Sequence, residues 1–210
     1  MTGSAFLLLA LTAVVAVADW MAASTNRRGA EYVLKPLTMV GLIAVALTLD
    51  PSSDFARWLV VVALVFSLAG DTFLMLPGDL FVQGLGAFLI AHVVYVAALV
   101  ALGVSPGGLL VGLAIVALAG VFVGRRVVAG AARADRALAV PVTAYMVVIS
   151  FMVMTAFATG LFFAIAGALL FFASDAVLGW SRFVKDLPKG HAIVMVTYHL
   201  GQAGLVLALI

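Results

Sequence analysis

The sequence contains no cysteine, so neither disulfides nor thiol chemistry can hold or operate this protein. Charge is nearly as scarce. Only 10% of the 210 residues are Asp, Glu, Lys or Arg, while 66% are hydrophobic, and mean hydropathy is +1.31. No stretch between the apolar runs is long enough for a soluble domain, and a soluble core of this length does not need so much apolar surface. A polytopic membrane protein is what remains. The net charge of +2 gives no indication of nucleic acid, because the basic residues lie in short connections between apolar runs. The opening "MTGSAFLLLALTAVVAVADW" lacks a basic n-region and a convincing cleavage site. It therefore reads as a first transmembrane helix rather than a signal peptide.

Apolar runs of spanning length fall at about 3–22, 34–49, 57–76, 81–102, 107–124, 138–158, 160–181 and 190–210. The expected fold is all-α, a bundle of eight transmembrane helices, with residues 1–210 forming one integral-membrane domain. Arg27, Arg28 and Lys35 flank the first connection, and Arg125, Arg126, Arg133 and Arg136 occupy the fifth. Arg182, Lys185 and Lys189 fall in the seventh, leaving Arg57 alone on the opposite side. The positive-inside rule then makes the basic face cytoplasmic and puts both termini outside, as in a multi-pass protein of a bacterial inner membrane. Gly108/Gly112, Gly120/Gly124 and Ala164/Ala168 have the spacing of close helix–helix contacts. Pro36 and Pro141 are placed near helix starts, where proline is tolerated.

Polar residues inside these runs are expensive and need a reason. Asp71 in "GDTFLML" and Asp175 in "SDAVLGW" fall at matching depths, late in the third and seventh helices. His92 and Tyr95 share one turn of the fourth helix, and Tyr198, His199 and Gln202 cluster in the eighth. Asp19 ends the first helix and reads as an interfacial residue, while Lys35 could either snorkel to the headgroups or turn inward. The third and fourth helices resemble the seventh and eighth, each pair carrying an Asp late and a His midway. A 4+4 internal repeat of this kind would bring the aspartates together near a pseudo-two-fold axis.

Two carboxylates sharing one low-dielectric cavity rarely both ionise, which offers an acid beside a base or anionic stabiliser. Such a pair suits acid-catalysed cleavage of an acetal-like or enol-ether bond. Two other readings use the same residues. One is a metal-dependent membrane lipid hydrolase that joins His92 and His199 to Asp71 or Asp175, although no recognisable zinc spacing is present. The other is a proton-coupled transporter of small molecules or lipids; against it, no run shows the mid-span Gly/Pro break of discontinuous transporter helices.

The motifs "KPLTM" at 35–39, "GDTFLML" at 70–76, "FVQGLGAFLIAHVVY" at 81–95, "FFASDAVLGWSRF" at 171–183 and "TYHLGQ" at 197–202 occur in order along the chain. In them the sequence resembles the YhhN family of membrane proteins, whose animal members are lysoplasmalogenases. The resemblance implies eight helices and hydrolysis of the vinyl-ether bond of a lysophospholipid, within membrane lipids and without a metal or other cofactor. It marks Asp71 and Asp175 as the catalytic carboxylates, with Lys35, His92, Tyr95, Tyr198 and Gln202 around them. The family commonly has a non-histidine residue where this chain has His199, which departs from the pattern. The fifth and sixth runs add little to the resemblance beyond hydrophobicity.

Overall fold

The structure is a computed structural model that describes residues 2–210. Among them are eight long helices and no strands: α1 (Gly3–Ser24), α2 (Arg28–Thr48), α3 (Asp54–Met75), α4 (Phe81–Ala101), α5 (Pro106–Ala134), α6 (Ala139–Thr159), α7 (Phe162–Phe183) and α8 (Gly190–Leu207). Thr2 and Ser53 cap α1 and α3 by accepting from the backbone N–H groups of Ala5 and Ala56. Gly160, in the left-handed region at φ 69°, closes α6 and lets α7 begin almost at once. Threonines within the helices, among them Thr12, Thr38 and Thr155, return their hydroxyls to the carbonyl four residues back. In hydrocarbon that local bond satisfies a donor that would otherwise be costly.

Helices α1 to α7 are each long and apolar enough to span a membrane. Their outward faces carry Phe6, Val14, Phe55, Trp58, Leu110, Val140 and Phe162, all well exposed, as a lipid-facing surface requires. The chain is an integral membrane protein. Helix α8 is shorter and more polar, holding His191, Thr197, Tyr198, His199 and Gln202. Its neighbours shield it: α1, α2, α3 and α7 all pack against it. The remaining packing closes a ring, α1 on α2, α2 on α3, α3 on α4, α4 on α6, α6 on α7 and α7 on α8. Helix α5 stands outside that ring and leans chiefly on α6.

Three sequence expectations change. Helix α2 starts at Arg28 rather than near 34, so Pro36 lies inside the helix, not at its start. There it withholds the N–H that would bond the Tyr32 carbonyl. The fifth run does not stop at 124, because Arg125–Ala134 continues as a strongly amphipathic helix that carries Arg125, Arg126 and Arg133. Between its two α-helical parts, Gly120–Gly124 forms a π-helical turn, a mid-run irregularity that the sequence reading did not anticipate. Gly108 and Gly112 do sit against the α6 backbone at Phe157, Ala158 and Met154. Gly120, by contrast, touches no neighbouring helix, and Gly124 faces only the tip of Met146. A further contact of this kind lies elsewhere, where Gly167 of α7 meets Gly201 and Gly204 of α8 backbone to backbone.

Candidate active site

Asp71 sits one turn before the end of α3, next to Gly70. A Cβ at Gly70 would strike the Phe88 ring of α4, so the glycine admits α4 closely beside the carboxylate. Lys35 approaches from α2 and Tyr198 from α8. Lys35 Nζ lies 2.8 Å from Asp71 Oδ1, and the Tyr198 hydroxyl donates to Asp71 Oδ2 at 2.6 Å. The lysine contact is an ion pair by distance rather than an aligned hydrogen bond. Side-chain exposures of 8% for Lys35 and 1% for Asp71 decide the orientation of Lys35: it turns inward and does not snorkel.

Asp175, on α7, has a different environment. Its Oδ2 accepts a short hydrogen bond from the Tyr145 hydroxyl of α6. Asp175 and Tyr145 line a cavity walled by α4, α5, α6 and α7 together with Leu74 of α3, with about 840 Å³ of empty space including its open side. Leu85, Phe88, Val116, Val123, Ile149 and Phe172 are among its other walls, so its surface is almost wholly apolar. The π-helical turn forms part of the wall through Gly120, Val123 and Gly124. Asp71 does not line this cavity. An aromatic cluster packs between Tyr198, the partner of Asp71, and Tyr145, the partner of Asp175. In it Phe171 meets Tyr198 edge-on at 5.3 Å and His92 at 4.6 Å, and Phe88 meets Tyr198 at 5.9 Å.

His92 is fully buried, and its Nδ1–H donates to the Phe88 carbonyl at 2.6 Å. Its ring lies edge-on to Tyr145 at 5.3 Å, which places it beside the Asp175 group rather than Asp71. Tyr95 and Gln202 form a separate buried pair, hydroxyl to Oε1 at 2.5 Å, that joins α4 to α8. His199 turns away from all of these. Its Nδ1 accepts from Trp20 Nε1–H at 3.1 Å and lies 3.9 Å from Asp19 Oδ2. His92 and His199 thus have different neighbours, and no three His, Asp or Glu side chains among the described residues converge as ligands for a metal.

Several residues in these clusters escaped the sequence reading. Asp19 does not end α1, which runs on to Ser24; it is fully buried, and neither of its carboxylate oxygens finds a hydrogen-bond partner among the described residues. Glu31, near the start of α2, is buried against His191 at 2.5 Å. Tyr145 is the most consequential omission. Its signal was a lone phenol in an otherwise apolar helix, where a buried hydroxyl requires a polar partner.

The YhhN family model matches residues 30–209. Human lysoplasmalogenase TMEM86B is 35% identical over 169 residues, covering 80% of this chain and 70% of that protein. The lysoplasmalogenase of Mycobacterium tuberculosis is 37% identical over 153 residues, covering 70% of this chain and 58% of that protein. The membrane protein YhhN of Escherichia coli O157:H7 is 32% identical over 84 residues, covering 39% of this chain and 40% of that protein. The chain thus spans between about half and two thirds of the mycobacterial enzyme's length and somewhat more of the human one's. No solved structure matches it. A family match over 30–209 encompasses all the clusters just described except Asp19 and Trp20, and the chain belongs to the YhhN family.

Proposed function

We propose that this protein is a lysoplasmalogenase-like hydrolase that cleaves the vinyl-ether bond of alkenyl-lysophospholipids within the membrane. The observation that carries the proposal is the single carboxylate–phenol pair, Asp175 with Tyr145, set in the wall of an otherwise apolar cavity. A hydrocarbon chain suits those walls, and an ether oxygen and double bond could then meet the one polar patch. The names of the human and mycobacterial relatives support the same reaction.

In the proposed sequence Asp175 gives its proton to the alkenyl carbon remote from the ether oxygen, and the adjacent carbon becomes an oxocarbenium ion. Asp71, held by Lys35 and Tyr198, contributes negative potential that favours that cation. Water adds to the cationic carbon and returns a proton to the carboxylate. The resulting hemiacetal collapses to a fatty aldehyde and a glycerophospho-alcohol, so one water is consumed and no electron is transferred. His92 braces Tyr145, and Tyr95 with Gln202 fixes α4 against α8, so these residues position the reacting groups. His199, bonded to Trp20, is assigned to packing of α1 on α8. The basic face is placed in the cytoplasm, with both termini outside, in a bacterial inner membrane.

The test is the fate of a solvent proton. Purified protein in deuterated water, given an alkenyl-lysophosphoethanolamine, should release an aldehyde carrying one deuterium on the carbon next to the carbonyl. Transport of the lipid without aldehyde release would sink the proposal, as would release of unlabelled aldehyde.

A further inference from the structure

The cavity reaches the end of the bundle where α4 begins and α7 ends, since Phe81 and Phe183 both line it. An arginine stands at that mouth. The Arg182 guanidinium lies 4.0 Å from the Phe81 ring centroid and 5.7 Å from that of Phe183, so two cavity walls hold it in place. Its Nη2 donates to both oxygens of Asp79, at 2.8 and 3.0 Å. That engagement uses one nitrogen only, and the Nε–H and Nη1 donors are not spent on the carboxylate. On the α5 side, Val123, Gly124 and Val127 line the same cavity, and Arg126, between them in sequence, is exposed on the outer side of that turn. Arg126 lies 5.9 Å over the Trp180 ring and donates from Nη1 to the Phe122 carbonyl in the π-helical turn. Two pre-positioned guanidinium groups and one carboxylate leave the rim net positive. An anion with planar, multiple oxygen acceptors is the ligand such a rim selects.

The spacing narrows the ligand class. Arg182 follows Asp175 by seven residues, about 10.5 Å along the helix axis at 1.5 Å per residue. The Asp79 and Phe81 contacts hold the guanidinium at the end of the bundle, so that axial separation is comparable to an extended glycerol linker with a contact at each end. We propose that Arg182, with Arg126 across the mouth, binds the headgroup phosphate of a single-chain phospholipid whose hydrocarbon occupies the cavity. The proposal rests on reading the cavity as a chain site, and it sets the register in which the first carbon of the chain meets Asp175.

Binding of a lipid without a vinyl ether separates this proposal from the chemistry. An acyl-linked lysophosphoethanolamine, the monoacylglycerol of the same chain, and inorganic phosphate are titrated into wild-type protein in detergent, followed by tryptophan fluorescence. The lysophospholipid should bind about tenfold tighter than the monoacylglycerol, the gain expected of one charge-assisted contact. Arg182→Gln should bring its affinity down to that of the monoacylglycerol and leave monoacylglycerol binding unchanged, which also shows that the variant is folded. Arg126→Gln, a second and independent variant, should weaken the lysophospholipid severalfold. Inorganic phosphate alone should not saturate the site at millimolar concentration. Equal affinity of wild type for the two lipids, or lysophospholipid binding by Arg182→Gln as tight as wild type, would overturn the assignment. Aldehyde release measured alongside keeps the two ideas distinct. Headgroup discrimination without release would remove the hydrolase reading and keep this one, and release without discrimination would do the reverse.

Discussion

Separating Lys35 from Asp71 gives a large and specific prediction. Both groups are almost wholly buried and pair at 2.8 Å, with Tyr198 supplying the other contact to the carboxylate. Removing one member leaves the other charged and enclosed, at a cost of about 3–5 kcal/mol. Replacing both with apolar groups of similar volume is often neutral or favourable, because the desolvation penalty disappears with the charges. Lys35→Met and Asp71→Leu should therefore each destabilise the protein, while the double variant should recover most of the loss. For a chain of this size about 2–4 °C accompanies each kcal/mol, so each single variant should melt roughly 6–20 °C below wild type. Thermal unfolding in one detergent, followed by circular dichroism and by a tryptophan signal, supplies the cycle. Turnover adds the functional half: if Asp71 favours the cation as proposed, the double variant should be stable yet inactive. Single variants within about 2 °C of wild type, or a double variant that simply adds the two losses, would refute the buried-pair account.

Two further predictions address Tyr145 and the glycine contacts. Tyr145→Phe removes the hydroxyl bound to Asp175, a contact of about 1.5–3 kcal/mol for a charged partner, so kcat should fall about 10- to 100-fold with KM little changed. Gly204→Ala drives a Cβ into the Gly167 backbone and should cost about 1–3 kcal/mol in melting experiments. Gly120→Ala meets open space in a right-handed helical conformation and should be neutral or stabilising by about 0.5–1 kcal/mol.

Much of the fold was legible because hydrophobicity alone dictates it. Apolar runs of spanning length located all eight helices, and the short connections left few topologies. Boundaries failed where a helix leaves hydrocarbon: Arg28–Leu34 and Arg125–Ala134 are helical on polar and amphipathic sequence, which a hydropathy reading discards. Within the clusters, the intramembrane carboxylates Asp71 and Asp175 were conspicuous because charge is so costly there. Their partners were less so. Lys35 was legible as a candidate, but its inward turn depended on α2 starting two turns earlier. Tyr145 was overlooked because a phenol is amphipathic and common in apolar helices, so its hydroxyl carries meaning only once Asp175 is seen across the helix gap. Asp19 looked like a helix-end residue, yet α8 packs over it and seals it in. The π-helical turn had no sequence signature beyond two glycines four apart, a spacing that equally suits helix packing.

The central claim is that Asp175 supplies the proton from the cavity wall. The most direct measurement is single-turnover aldehyde release from an alkenyl-lysophospholipid by wild type and Asp175→Asn, each shown to bind the lipid and each assayed with and without strong chelator. A positioned acid contributes about 10²- to 10⁴-fold, so Asp175→Asn should bind normally and release aldehyde at least a hundredfold more slowly. Chelation should leave the wild-type rate unchanged. An Asp175→Asn protein that retains more than a tenth of wild-type turnover, or a wild type silenced by chelator and restored by metal, would contradict the account.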